Sequence, residues 1–252
     1  LIGLGMSIKE PKNRNGLYAL NAIDNKAEDP NIEKQGRKLL DTAARAVASA
    51  DNYLQPLLRY DVNIANAIVS VVKERNITDI VMGMHRDRTP GIPGIGRIAA
   101  DVLGYSNVTT FMYHPAQPLA TIRRHIVVVP EKAEREAGFQ AWMQKLRNLA
   151  ENSNARIVIY APENTLPLLQ PVRKRRSPKF GYVACDCWNR PAEFARDVRR
   201  DDCLWIVMSR RDRISYHPAM ARVSTYMEQY LPHNSFVLVY PVQAGVSDNR
   251  YL

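Results

Sequence analysis

Two stretches about 125 residues apart read as the same piece of chain, and this repeat constrains the fold more than any other feature of the sequence. Val81-Met82-Gly83-Met84-His85-Arg86-Asp87-Arg88 lines up with Ile206-Val207-Met208-Ser209-Arg210-Arg211-Asp212-Arg213. Phe111-Met112-Tyr113-His114-Pro115 lines up with Val237-Leu238-Val239-Tyr240-Pro241 at nearly the same offset. In both copies the apolar run is too short for a helix and carries no polar break, as in a buried strand of a parallel sheet. With 252 residues, the chain has room for two ordinary domains. The repeat places them at 1–116 and 117–252, with 117–121 as the linker. It also implies a tandem duplication.

Taken in order, apolar runs alternate with segments of helical period. Leu1–Ile8 reads as the tail of a helix, and Leu17–Ile23 as a buried strand. Leu39, Leu40, Ala43 and Val47 mark an amphipathic helix. Tyr53–Tyr60 is a strand whose Pro56 confines it to an edge. Asn63 caps a helix with Ala65, Ile68, Val69 and Val72 on one face. Val108–Tyr113 is a strand. In the second half, strands are expected at His125–Val129, Arg156–Ala161, Phe180–Cys185, Leu204–Met208 and Phe236–Tyr240. Helices are expected around Phe139–Leu149, Leu166–Gln170, Pro191–Val198 and Ala219–Leu231. This alternation defines an α/β fold of two tandem doubly wound parallel-sheet domains. The second half runs through five strands, whereas the first lacks the opening strand of that series.

The stretch Ile77–Leu103 carries the candidate site. Ile80-Val81-Met82 ends at Gly83, and a loop holds Pro90, Gly91, Pro93, Gly94 and Gly96. Ile95, Ile98, Ala99, Val102 and Leu103 then fall at helical spacing, so a helix starts near Gly96. A strand, a glycine-rich loop and a helix N-terminus favour an anion, because backbone N–H groups converge there and the helix dipole adds positive potential. In doubly wound sheets the crevice beyond the strand C-termini is the usual ligand position. The candidate anion loop comprises Gly83, Arg86, Arg88, Gly94, Gly96 and Arg97. The competing reading is that the glycines only make a turn and the arginines fill the pocket themselves.

These residues resemble the universal stress protein domain, a doubly wound five-stranded unit related to adenine nucleotide alpha hydrolases. Its ATP-binding members carry Gly-x2-Gly-x9-Gly-Ser/Thr after the fourth strand. Here Gly83, Arg86, Gly96 and Arg97 fall on that frame, with arginine replacing the second glycine and the Ser/Thr. In the second half the frame falls on Met208, Arg211 and Ala221, and nothing of it survives. A narrower resemblance involves Tyr60–Ala65, Glu74–Ile80, Lys132–Phe139 and Ile214–Ala219. These segments are similar to the soluble C-terminal region of bacterial, Bacteroides-type cation/proton (sodium/hydrogen) antiporters. That resemblance implies a regulatory tail on the cytoplasmic side of the inner membrane, joined to a transmembrane antiporter domain of the same longer chain.

Other chemistry finds little support. No apolar run approaches the roughly 18 residues of a membrane span, and Leu1–Lys12 lacks the basic start of a signal peptide. Cys185, Cys187 and Cys203 form no paired framework, suit a reducing compartment, and read as small buried strand residues. The five histidines have no partner at metal-ligand spacing. Neither a nucleophile elbow nor a Walker loop occurs. Asp24 and Asp61 near strand ends read as caps. No catalytic residue, metal site or cofactor is therefore expected, and the chain does not read as an enzyme.

The net charge of +10 points to an acidic partner, a negatively charged surface, or solubility alone. Its sharpest cluster is Arg173, Lys174, Arg175 and Arg176, which could touch anionic lipid or lie in a solvated loop. Aromatics do not interleave with it, so no nucleic-acid partner is expected. The alternatives to a regulatory domain are a free-standing ATP-binding stress protein and a purely structural dimerisation module. A homodimer is compatible with each. Within the chain, Val108–Tyr113 and Phe236–Tyr240 are expected to pair, because each otherwise leaves an apolar sheet edge open.

Overall fold

The computed structural model describes residues 1–10, 16–26, 31–49, 52–84, 95–170 and 179–243. The elements follow the expected alternation. The first half contains α1 (Ile2–Ile8), β1 (Leu17–Asp24), α2 (Asn31–Ala48), β2 (Leu54–Asp61), α3 (Ile64–Glu74), β3 (Asp79–Gly83), α4 (Arg97–Tyr105) and β4 (Thr109–His114). The second contains β5 (Arg124–Val128), α5 (Phe139–Asn152), β6 (Arg156–Ala161), α6 (Leu166–Leu169), β7 (Phe180–Ala184), α7 (Pro191–Ala195), β8 (Asp202–Val207), α8 (Val223–Tyr230) and β9 (Ser235–Tyr240).

The strands form a seven-stranded sheet, ordered β3-β4-β9-β8-β5-β6-β7, and a two-stranded sheet, β1-β2. Every pairing is parallel except β4 with β9. The result is an α/β fold with a mostly parallel sheet. The expected pairing of the two last strands is present, with Thr110 opposite Tyr240 and Tyr113 opposite Val237. Antiparallel pairing of two strands with apolar residues on both faces turns two open edges into one continuous sheet, which removes the hazard of an exposed edge.

Period-2 alternation sorts the strand residues onto two faces. Phe111, Val127, Ile157, Ile159, Trp205 and Val237 face α1 and α5, where Leu4, Trp142, Leu146 and Leu149 complete one core cluster. Met112, Ile126, Val158, Leu204, Ile206 and Leu238 face the other way, against Ala99 of α4, Phe194 of α7 and Val223 and Met227 of α8. With apolar side chains on both faces, these strands had to read as continuous apolar runs.

Local signals held where a cap or a proline sets them. Asn63 Oδ1 accepts from the N–H groups of Ala65 (2.9 Å) and Asn66 (3.3 Å), as its N-cap position requires. Pro56 lies in β2, an edge strand. Asp24 and Asp61 accept from Lys26 and Asn63 N–H two residues on, so both carboxylates act as turn caps.

Three readings need correction. Leu39 is 64% exposed, and α2 buries Gly36, Leu40 and Val47 instead. Its packing stripe is narrow because Gly36 lies flush on Asn21 of β1: a Cβ there would come 2.9 Å from the Asn21 amide oxygen. Ile98 likewise sits outside the buried stripe of α4, which is Ala99 and Val102. Cys185 and Cys187 are joined as a disulfide rather than lying as separate strand residues. β7 stops at Ala184, and the turn that follows brings the two Cα atoms to 5.2 Å, within disulfide reach. Cys203 on β8 is the buried free thiol.

Candidate functional site

The candidate loop leaves β3 at Gly83 and enters α4 at Arg97. Its two ends are firmly held. Met84 N–H donates to Tyr113 O at 3.1 Å, which extends the β3–β4 ladder by one residue. Met82 and Met84 before the loop and Ile95 and Ala99 after it all pack into the same core cluster, around Met112.

Gly96 is the N-cap of α4 with φ 80° and ψ 153°, a backbone conformation that a side chain makes costly. It offers no side-chain cap to α4. The first turn of this helix therefore keeps donors that a Ser or Asp cap would have taken. Arg97, exposed at the first helical position, adds a cation where the dipole disfavours one and where a bound anion would be doubly served. Gly83 is different. A Cβ there would meet only Leu1, at 3.9 Å, so the glycine leaves an approachable backbone rather than relieving a clash. Arg86, Arg88 and Gly94 lie outside the described residues, as does the Arg173–Arg176 run.

The corresponding place in the second half is built from the same backbone and filled differently. Met208 N–H donates to Val239 O at 2.8 Å, as Met84 does to Tyr113, so the strands set Met208 against Met84 and Val207 against Gly83, one residue off the sequence alignment that put Met208 with Gly83. Beyond it, Glu136 folds in from the segment after β5. Its Oε1 accepts from Ser215 N–H (3.1 Å), Ser215 Oγ (2.8 Å) and Ser209 Oγ (3.5 Å). A carboxylate thus sits where β5 and β8 diverge, the switch point of the sheet, and its charge repels a phosphate. Arg210 turns away to donate to Ser106 O at 3.1 Å. The close approach of Gly138 locks the Glu136 segment in place, since a Cβ there would lie 2.6 Å from Pro241 Cβ and 2.8 Å from Val242 N. Sequence reasoning missed Glu136, because its partners are more than seventy residues away. The signal available was the pair of serines, Ser209 and Ser215, flanking the degenerate copy of the loop.

No group of three or more His, Cys, Asp or Glu side chains among the described residues could hold a metal ion. None of the described helices is long and apolar enough to cross a membrane.

The fold is that of universal stress protein-like structures. A universal stress protein from Archaeoglobus fulgidus DSM 4304 superposes with a TM-score of 0.59 at 10% identity, over 97% of this chain and 92% of that one. A putative universal stress protein from Pseudomonas aeruginosa UCBPP-PA14 superposes at 0.56 with 9% identity, over 90% and 84%. The cytoplasmic domain of a prokaryotic cation chloride cotransporter is as similar, with a TM-score of 0.57 and 10% identity over 98% of this chain and 91% of that one. No protein-family model matches the chain, and no curated protein does. At these identities the likeness establishes the fold.

Proposed function

We propose that this chain is the cytoplasmic regulatory part of a membrane cation/proton antiporter, built from two tandem units at 1–116 and 117–252. The observation that supports the reading is the fold shared, over nearly the full length of both chains, with the cytoplasmic domain of a prokaryotic cation chloride cotransporter. The similarity of Tyr60–Ala65, Glu74–Ile80, Lys132–Phe139 and Ile214–Ala219 to antiporter tails narrows it to the proton-coupled class. In this reading transport chemistry lies in the membrane part, and this region biases its equilibrium by binding a small anion between Gly83 and Arg97. Only the first unit is offered as the sensor, because Glu136 takes the equivalent place in the second. In the same reading anionic lipid is the partner offered for the basic run Arg173–Arg176, and a homodimer is the assembly offered for the transporter.

The test is where the natural gene product is found and what it does. An antibody against this region should detect a product well above 28.6 kDa in carbonate-washed inner membranes. Deleting the region should then shift the pH or cation dependence of proton-coupled transport in inverted vesicles. A soluble product near 28.6 kDa sinks the proposal and favours a free-standing stress protein, a reading supported by the likeness to the Archaeoglobus protein.

A further inference from the structure

We propose that the Cys185–Cys187 turn is a thiol–disulfide exchange site for small thiols, in which Cys185 is the sulfur attacked from solvent and Cys187 is the resolving partner. Its chemistry is independent of the antiporter reading. The two cysteines follow β7, the outer strand of the seven-stranded sheet, and lie at the C-terminal end of the parallel strands. That is the end at which doubly wound sheets open their crevice.

A purely structural bond gains little here. A disulfide stabilises a fold chiefly by closing a loop of the unfolded chain, and the gain grows with the loop. These residues are two apart, so the bond closes almost the shortest loop a disulfide can and ties no element to another. The turn is also held without it. Cys185 N–H donates to Ala161 O at 2.9 Å, carrying the β6–β7 ladder one residue past Ala184. Asp186 O accepts from Asn189 N–H (3.2 Å) and Arg190 N–H (2.9 Å), and Asp186 Oδ1 accepts from Asn189 Nδ2 (2.8 Å). Asn189 Oδ1 lies 3.1 Å from His217 Nε2, and the His217 ring stands 6.0 Å from that of Trp188. His217 Nδ1 accepts from Ala219 N–H, so Nε2 carries the ring proton and donates to Asn189. The opened dithiol therefore keeps its two sulfurs close. Closing the bond again is an intramolecular step with little left to organise.

Exposure assigns the two roles. Cys185 is partly buried, and its neighbours Val183, Ala184 and Asp186 are exposed. Cys187 is 6% exposed, in the core cluster that holds Tyr160, Phe194 and Met220. A thiolate arriving from solvent meets Cys185 Sγ first. As its sulfur bonds to Cys185 Sγ, the Cys185–Cys187 bond breaks, and its electron pair leaves on Cys187 Sγ, which takes up a proton. A second small thiolate attacks the small-thiol sulfur of this mixed disulfide and releases Cys185 as thiolate. The protein disulfide is thus reduced by two electrons, and two small thiols are oxidised to one small disulfide. In the reverse direction the Cys185 thiolate opens the small disulfide, and Cys187 then displaces the second small thiol. Exposed disulfides are the exchangeable ones. Cys203 is the internal contrast. It is fully buried on β8, where burial raises its pKa above the ordinary thiol value and leaves it unreactive.

Glutathione titration tests this on the intact 252-residue chain. The protein is equilibrated near neutral pH with buffers running from reduced to oxidised glutathione, quenched in acid, alkylated and digested. The peptide holding Cys185 and Cys187 should pass from dithiol to disulfide across that series with no change in circular dichroism, while Cys203 takes no label until urea is added. Cys187→Ser should trap glutathione on Cys185 at least tenfold faster than Cys185→Ser traps it on Cys187. The proposal is overturned if the bond opens only on unfolding, which makes it a structural disulfide. It is equally overturned if both thiols stay free in oxidised glutathione, which makes them ordinary strand-end residues. Equal trapping on the two cysteines overturns the assignment of roles. The wild-type titration decides by itself if either serine variant fails to fold.

Discussion

Acid should destabilise this protein through one buried histidine. His125 lies on β5, where its Nδ1 accepts a hydrogen bond from Trp205 Nε1 at 3.1 Å. That contact needs an unprotonated Nδ1, and the apolar surroundings oppose a charge. Burial lowers the pKa from 6.5 to about 4, and the nearby Asp202 carboxylate only partly counters it. Above pH 6.5 the ring is neutral in both folded and unfolded chains, so it contributes nothing to pH dependence. As the pH falls below 6.5 the unfolded chain takes up a proton that the folded one refuses until about pH 4, and stability drops across that window. Between pH 7 and pH 5 the loss from this group is about 2 kcal/mol. Urea unfolding at both pH values, on the wild type and on His125→Gln, isolates it. The glutamine keeps an acceptor for Trp205 and does not titrate, so the variant should lose about 2 kcal/mol less than the wild type on going to pH 5. Parallel pH dependence in the two proteins would refute the reasoning.

Other outcomes follow from single contacts. Asp202, only 1% exposed, accepts two bonds from Arg124 (2.9 and 2.6 Å) and one from Arg199 N–H (2.7 Å). Asp202→Ala should cost about 3–5 kcal/mol, read as a fall in urea midpoint, and an unchanged midpoint would show the pair to be energetically idle. Gly138→Ala should destabilise by about 1–3 kcal/mol, since its Cβ meets the backbone of Val242; the same assay at Gly83, where space is open, should show less than 1 kcal/mol. Gly96→Ala, at φ 80° and ψ 153°, should cost about 1–3 kcal/mol through backbone conformation alone. ATP should bind to the chain from Leu1 with a dissociation constant of about 1 mM or weaker, because Arg86 stands where the ATP-binding frame has a glycine. Micromolar binding by isothermal titration calorimetry would contradict this, and Arg86→Gly should strengthen whatever binding exists.

What the sequence by itself determined is what local periodicity and short-range chemistry determine. Apolar runs such as Ile126–Val128 had to be strands covered on both faces. Asn63 and Pro56 fixed a helix start and an edge strand through their own donors and ring geometry. Even the β4–β9 pairing was legible, because two apolar edge strands have few other ways to satisfy their backbone groups. The candidate loop was legible as a strand, glycines and a helix start, and Gly96 is left-handed where only glycine is at ease. Tertiary structure alone decided the rest. Glu136 reaches Ser215 across 79 residues, Asp79 finds Lys145 across 66, and Trp205 finds His125 across 80. The hydrophobic pattern says which face of a segment is buried, but not which polar partner a distant element brings to it. That choice belongs to the packing of whole elements. It is why one copy of the repeat keeps an uncapped helix start at Gly96, while the other caps its helix start with His217 and sets Glu136 against the loop between Ser209 and Ser215.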